Sequence, residues 1–175
     1  GENIAQAEAA LLWAQQSAES ELGVTLEKIF IAGHSQGGYL VTRLNTMHPT
    51  DGVVANCPGP LDFQYRCALE EAGEMETSRQ CQLMEETVGS ATENPEAYLE
   101  RSLLRFTTGH QSDLLVTQGM QDAAIQLHSW PDFRSALEAC TDCAGIEIQE
   151  APQAGHGALF ESQPMQQAFN DFLDR

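Results

Sequence analysis

One serine in this chain is held between glycines in a Gly-x-Ser-x-Gly pattern, Gly33-His34-Ser35-Gln36-Gly37. A serine hydroxyl is a weak nucleophile until a base takes its proton, and the base needs a carboxylate to orient it. The pattern suits a tight strand-to-helix turn, where the serine adopts a strained backbone and its hydroxyl stands clear of the sheet. Flanking glycines leave room for the turn and for close approach of the helix. The turn also aims the new helix's N-terminus at the reacting carbonyl, where free amides meet developing negative charge. The backbone N–H of Gln36 is then one oxyanion donor. With such an elbow, the acid and then the histidine follow in chain order. "LLVTQGMQD" puts Asp122 just past a strand-like run, and "IEIQEAPQAGHGAL" puts His156 between two glycines after the next one. Ser35, Asp122 and His156 are therefore the candidate nucleophile, acid and base.

The remaining histidines fit less well. The side chain of His34 is expected to point away from the Ser35 hydroxyl. His48 ends a helix, and His110 and Asp113 precede a strand at its wrong end. His128 follows Asp122 too closely for the next loop. Each reads as a surface or supporting residue. Asp132 is the alternative acid, better placed as a helix-start carboxylate after Pro131.

The elements that must position these groups alternate. Residues 3–22 carry Ile4, Ala7, Leu11, Ala14, Ala18 and Leu22 on one helical stripe, with Asn3 suited to cap the start and Gly23 the stop. "KIFIAG" reads as a buried parallel strand, and a helix follows over 36–47, closed by Pro49. Further strands are expected at 52–57, 113–119 and 146–151, and helices at 131–140 and 163–173. Residues 61–105 are acidic and helical, with a break near "GSATENP". Strands alternating with helices give an α/β architecture with a mostly parallel sheet.

Composition narrows the partners. The chain has 175 residues, enough for one domain with a sizeable core, and 26 acids against 8 Lys plus Arg give a net charge of −18. Such a surface repels nucleic acid and anionic membranes. No segment reads as a signal peptide or a membrane span, which leaves the compartment open between cytoplasm and exterior. Cys57, Cys67, Cys81, Cys140 and Cys143 are an odd set. The lone "CTDC" offers two of the four ligands that zinc wants, so a local disulfide or two free thiols is expected there in place of a metal. Cys67 and Cys81 can pair within the helical segment, which would suit an oxidising compartment.

At these residues the chain resembles the C-terminal part of an α/β-hydrolase catalytic domain, in particular the prolyl-oligopeptidase-like branch of serine hydrolases. "GHSQGGYL" resembles that branch's elbow, "NPEAYLERSLLRF" the segment leading to its acid-bearing strand, "VTQGMQDAAIQLHSWPDFRSAL" its Gly-x-x-Asp strand end, and "AGHGAL" its histidine loop. The resemblance implies Ser35 as nucleophile, Asp122 as acid and His156 as base, with no metal or cofactor. Family members carry further strands before the nucleophile strand, and an early loop there supplies a second oxyanion N–H. Residues 1–58 hold no such loop. The expectation is a truncated, roughly four-stranded sheet with strand 28–32 at an open edge. Such an edge is a pairing template, expected to be covered by a missing N-terminal segment or by another chain, a second copy first. Segment 61–105 is expected to overhang the nucleophile like a lid, its acidity disfavouring anionic substrates. Three functions compete: hydrolysis of small esters, hydrolysis of peptides or amides, and a non-catalytic interaction module.

Overall fold

The computed structural model describes residues 2–175. Strands run over Phe30–His34 (β1), Gly52–Asn56 (β2), Leu114–Gly119 (β3) and Ile146–Ala151 (β4). They form a parallel sheet in the order β1-β2-β3-β4. Every residue of β2 and β3 is buried, which accounts for the apolar runs 53–55 and 114–116 within them. β1 has β2 on one side and, among the described residues, no strand on the other; Ala32 in its middle is exposed. The nucleophile strand is thus the expected open edge, displaced two residues along the chain from 28–32. Lys28 and Ile29 precede the ladder, where the Ile29 amide donates instead to the Asp51 carboxylate at 2.6 Å.

Period-two alternation divides the sheet between two layers of helices. Val53, Ala55, Leu114 and Val116 face Val41 of α3 (Gln36–Asn45) and Trp130, Phe133 and Leu137 of α7 (Ala124–Glu138). Val54 and Leu115 face Phe172 of α9 (Gln163–Leu173). The segment between β2 and β3 forms α4 (Phe63–Glu71), α5 (Arg79–Val88), α6 (Pro95–Leu99) and a 3-10 turn at Leu103–Arg105. It has its own small core of Phe63, Met84 and Tyr98, with the Cys67–Cys81 disulfide inside it. Closing a loop of that length restricts the unfolded chain and contributes about 3 kcal/mol. Cys140 and Cys143 are also disulfide-bonded, and Cys57 is a buried free thiol.

Four expectations need correction. The first helix is divided at Ser17 into α1 (Glu2–Gln16) and α2 (Ala18–Leu22), and Gly23 closes α2 in the left-handed region. Asn3 lies inside the first turn of α1 and does not cap it. α7 begins at Ala124, seven residues before Pro131, so Asp132 lies mid-helix rather than at a start. A proline there removes one backbone bond, but Trp130, Phe133 and Leu137 around it bury enough apolar surface to keep the helix going. His110 is a core residue, 1% exposed. Burial pushes its imidazole down to about 4, against smaller opposing pulls from the Phe106 backbone and Asp142.

The His110 burial has a consequence for stability. The unfolded imidazole takes its proton near 6.5, whereas the folded one resists it until about 4. The neutral form's contribution is complete above the unfolded value and is lost as the pH falls through this window, a total of about 3 kcal/mol. Urea unfolding at about pH 7.5 and about pH 4.5 should show His110→Leu losing roughly 2–3 kcal/mol less over that interval than the parent. An equal loss in both proteins would remove His110 as the cause.

Candidate active site

All four parallel strands end on one side of the sheet, and each delivers a residue there: Ser35 after β1, Asn56 at the end of β2, Asp122 after β3 and His156 after β4. This is the crevice side on which open α/β sheets bind ligands. Ser35 has φ 56° and ψ −118°, a backbone state rare for a side-chain-bearing residue. It persists because its backbone is fixed at both ends. Its N–H donates to the Asn56 carbonyl (3.0 Å), and its own carbonyl accepts from Tyr39 (3.0 Å) and Gly59 (3.1 Å).

The glycines differ in what they do. A Cβ at Gly33 would lie 2.1 Å from the Gly37 carbonyl oxygen, and one at Gly38 would lie 2.9 Å from the Pro58 Cα. A Cβ at Gly37 would meet nothing within 4 Å. The close contacts therefore require Gly33 and Gly38, and the last glycine of the sequence pattern is sterically free. Gly119 plays the matching part across the site. A Cβ there would fall 1.8 Å from the Gly155 oxygen, so only glycine lets the histidine loop lie on the end of β3.

The three candidates meet. His156 Nε2 lies 2.9 Å from Ser35 Oγ, and His156 Nδ1 lies 2.8 Å from Asp122 Oδ2. With Nδ1 donating to the carboxylate, Nε2 is left as the acceptor facing the hydroxyl. Asp122 is almost fully enclosed, its side chain 3% exposed, while that of His156 is 46% exposed. The carboxylate also accepts from the Ala123 amide (2.7 Å) and from Gln118 Nε2 (3.0 Å), which fixes its orientation. Gln36 is the first residue of α3, so its N–H has no acceptor within the helix, and it borders the same cavity as Ser35 and His156. That cavity holds about 720 Å³ and is walled by Tyr39, Phe63, Leu83, Met84 and Ile125.

Two supporting residues, Asn56 and Glu161, were not singled out from the sequence. Asn56 is 1% exposed. Its Oδ1 accepts from Thr117 Oγ1 (2.8 Å) and the Leu159 amide (3.1 Å), and its Nδ2 donates to His34 Nδ1 (3.0 Å). One amide thereby ties the ends of β1 and β3 to the start of α8 (Ala158–Glu161), just past His156. A polar residue ending an otherwise apolar, fully buried strand was the available signal. Glu161 accepts from the Gly155 amide (2.9 Å) and braces the histidine loop. His34 packs its ring 4.8 Å from that of His156, so it neighbours the catalytic candidates rather than standing apart from them. His128 stacks on Tyr65, and His48 pairs with Glu8. Burial pushes the Cys57 thiol up, keeping it a neutral packing group beneath the site.

A parallel sheet between helices, with a strained serine at the end of an edge strand and an acid and a histidine on the following loops, defines the α/β-hydrolase class. Solved structures share this fold at low sequence identity. The Pyrococcus horikoshii acylaminoacyl peptidase superimposes with a TM-score of 0.65 at 18% identity, over 93% of this chain and 26% of that one. A truncated carbohydrate esterase from gut microbiota gives 0.71 at 16%, over 98% and 67%. A Pyrococcus furiosus esterase gives 0.62 at 16%, over 98% and 61%. The chain thus spans about a quarter of the peptidase and roughly two-thirds of the esterases. No curated protein matches the sequence at a significant level. Residues 6–174 match the prolyl oligopeptidase family, and the chain belongs to it.

The glycine contrast can be measured directly. Gly33→Ala and Gly38→Ala should each destabilise by roughly 2–4 kcal/mol, since backbone must move. Gly37→Ala should stay within about 0.5 kcal/mol of the parent or gain slightly from helix propensity. Urea midpoints at neutral pH would reveal the difference, and equal effects at all three positions would contradict it.

Proposed function

We propose that the protein is a serine hydrolase that cleaves small carboxylic esters through an acyl-enzyme. The single observation that carries this reading is the continuous line from Ser35 Oγ through His156 to Asp122, at 2.9 and 2.8 Å, beginning on a strained elbow. His156 Nε2 takes the hydroxyl proton as Oγ attacks the carbonyl carbon. Asp122 steadies the imidazolium, and the Gln36 N–H receives the oxyanion. The imidazolium then protonates the departing alcohol. A water molecule repeats the sequence and frees the acid.

One feature favours esters over amides: the cavity wall is largely apolar, suited to a small acyl or alcohol group. Peptide or amide hydrolysis is the second reading, favoured by the acylaminoacyl peptidases among the structural relatives.

A fluorophosphonate probe and p-nitrophenyl butyrate test the proposal together. The folded protein should be labelled and should release p-nitrophenol, and Ser35→Ala should do neither. Asp122→Asn should lower kcat by about 10⁴, because the new amide can donate to Nδ1 and hold the imidazole proton on Nε2, the wrong tautomer for a base. Activity on an alanine p-nitroanilide with none on the ester would move the assignment to the amidase reading. Absence of labelling in folded protein would leave an interaction module.

A further inference from the structure

The segment over the nucleophile is acidic in sequence, with ten Asp plus Glu and four Arg between residues 61 and 105. Its charges are not distributed evenly in space. None of those ten acids borders the cavity that Ser35 and His156 open into, whereas Arg66 and Arg101 both do. Among the described residues, the only carboxylate on that wall is Asp122, already engaged by His156.

The two arginines differ from the others of the segment. Arg79 pairs with Glu86 at 3.7 Å and Arg105 with Glu96 at 2.5 Å, both on the exterior. Arg66 spends its Nε on Glu70 (3.0 Å), whose other oxygen is held by Ser78. Arg101 is half-buried and, among the described residues, has no carboxylate within ion-pair distance; Nη1 donates to the Ala97 carbonyl (2.6 Å). An arginine left unpaired in a chain with so large an excess of acids is a cation held away from abundant partners. Its planar fork matches a carboxylate bidentately, and such charge-assisted bonds are about twice as strong as neutral ones. A protein of net charge −18 repels anions at long range, so a local cation is needed if an anion is to be held at all.

We propose that Arg101, assisted by Arg66, makes the cavity selective for esters that carry a second, free carboxylate on either the acyl or the alcohol half. This rests on the hydrolase reading above and reverses the expectation that the acidic segment disfavours anionic substrates. The scissile ester sits at Ser35, the apolar stretch between the two ends lies on Phe63, Met84 and Ile125, and the carboxylate meets the guanidinium of Arg101.

Two matched pairs of substrates test it. Mono-p-nitrophenyl glutarate against p-nitrophenyl hexanoate puts the charge on the acyl half. 4-Butyryloxybenzoate against phenyl butyrate puts it on the alcohol half. The readout is the ratio of kcat/KM for the charged ester to that for its neutral partner. In at least one pair, Arg101→Gln should lower this ratio tenfold or more, a loss typical of one charge-assisted contact. Arg66→Gln should lower it less, since Glu70 shares its charge, and Arg101→Lys should restore part of it. A general disturbance of the cap by substitution would change both members of a pair and leave the ratio alone. Ratios within about twofold of the parent in both pairs for Arg101→Gln would overturn the proposal while the hydrolase reading stood. Failure of the parent to react with the fluorophosphonate or any of the four esters would overturn both.

Discussion

The site depends on one close approach of backbone to backbone. Where β1 passes into α3, the Cα of Gly33 lies so near the Gly37 carbonyl that a Cβ would be 2.1 Å from it. That contact brings the helix N-terminus back over the strand end and forces Ser35, between them, to φ 56°. The hydroxyl and the free Gln36 amide are thereby presented together at one cavity. The equivalent contact between Gly119 and Gly155 sets the depth of the opposite loop and hence the position of the His156 ring. Two backbone crossings therefore fix the separation that the His156–Ser35 hydrogen bond spans.

Parallel strands convert these local contacts into one site. Because all four run the same way, four loops from distant parts of the sequence end at one edge, and Asn56 joins three of them through a single buried amide. A buried amide with its hydrogen bonds satisfied is stabilising, whereas removal of it would strand Thr117, His34 and the Leu159 amide without partners. Rigidity at the strand ends also explains how a histidine whose side chain is nearly half exposed can be held at hydrogen-bond distance from the serine. The exposed part faces the cavity, and the part that determines its orientation rests on an enclosed carboxylate.

The insertion after β2 supplies the opposite wall. Its own apolar cluster and disulfide let it hold shape independently of the sheet. Eight of its ten acids are exposed, where they keep the surface hydrated, and Glu70 is buried against Arg66 and Ser78. Inward it presents Phe63, Leu83, Met84 and two arginines. Composition of a segment and character of the wall it builds are therefore different quantities, since a helix turns one face to each environment.

Much of this was written in the sequence. Short apolar runs alternating with helical stretches gave the four strands and the parallel class, because burial on both faces keeps 53–55 and 114–116 continuously apolar. Ser35, Asp122 and His156 were legible as candidates because a nucleophile elbow, its acid and its histidine would follow a fixed chain order with glycines at their turns, and the three side chains do meet. Local sequence could not reveal Asn56 as the junction of three loops, Arg101 as a cavity-lining cation without a carboxylate partner, or His110 as a core residue. Those roles are defined by which neighbours lie across the fold. Local rules also failed at Pro131, where α7 runs through a proline because Trp130, Phe133 and Leu137 bury more than one backbone bond is worth. Sequence alone determined the elements and picked out the candidate site residues, through periodicity and residue chemistry that act over a few positions. Tertiary structure decided which side of each helix meets the cavity, which polar groups are buried and which charges remain unpaired, because those depend on contacts between residues far apart in the chain.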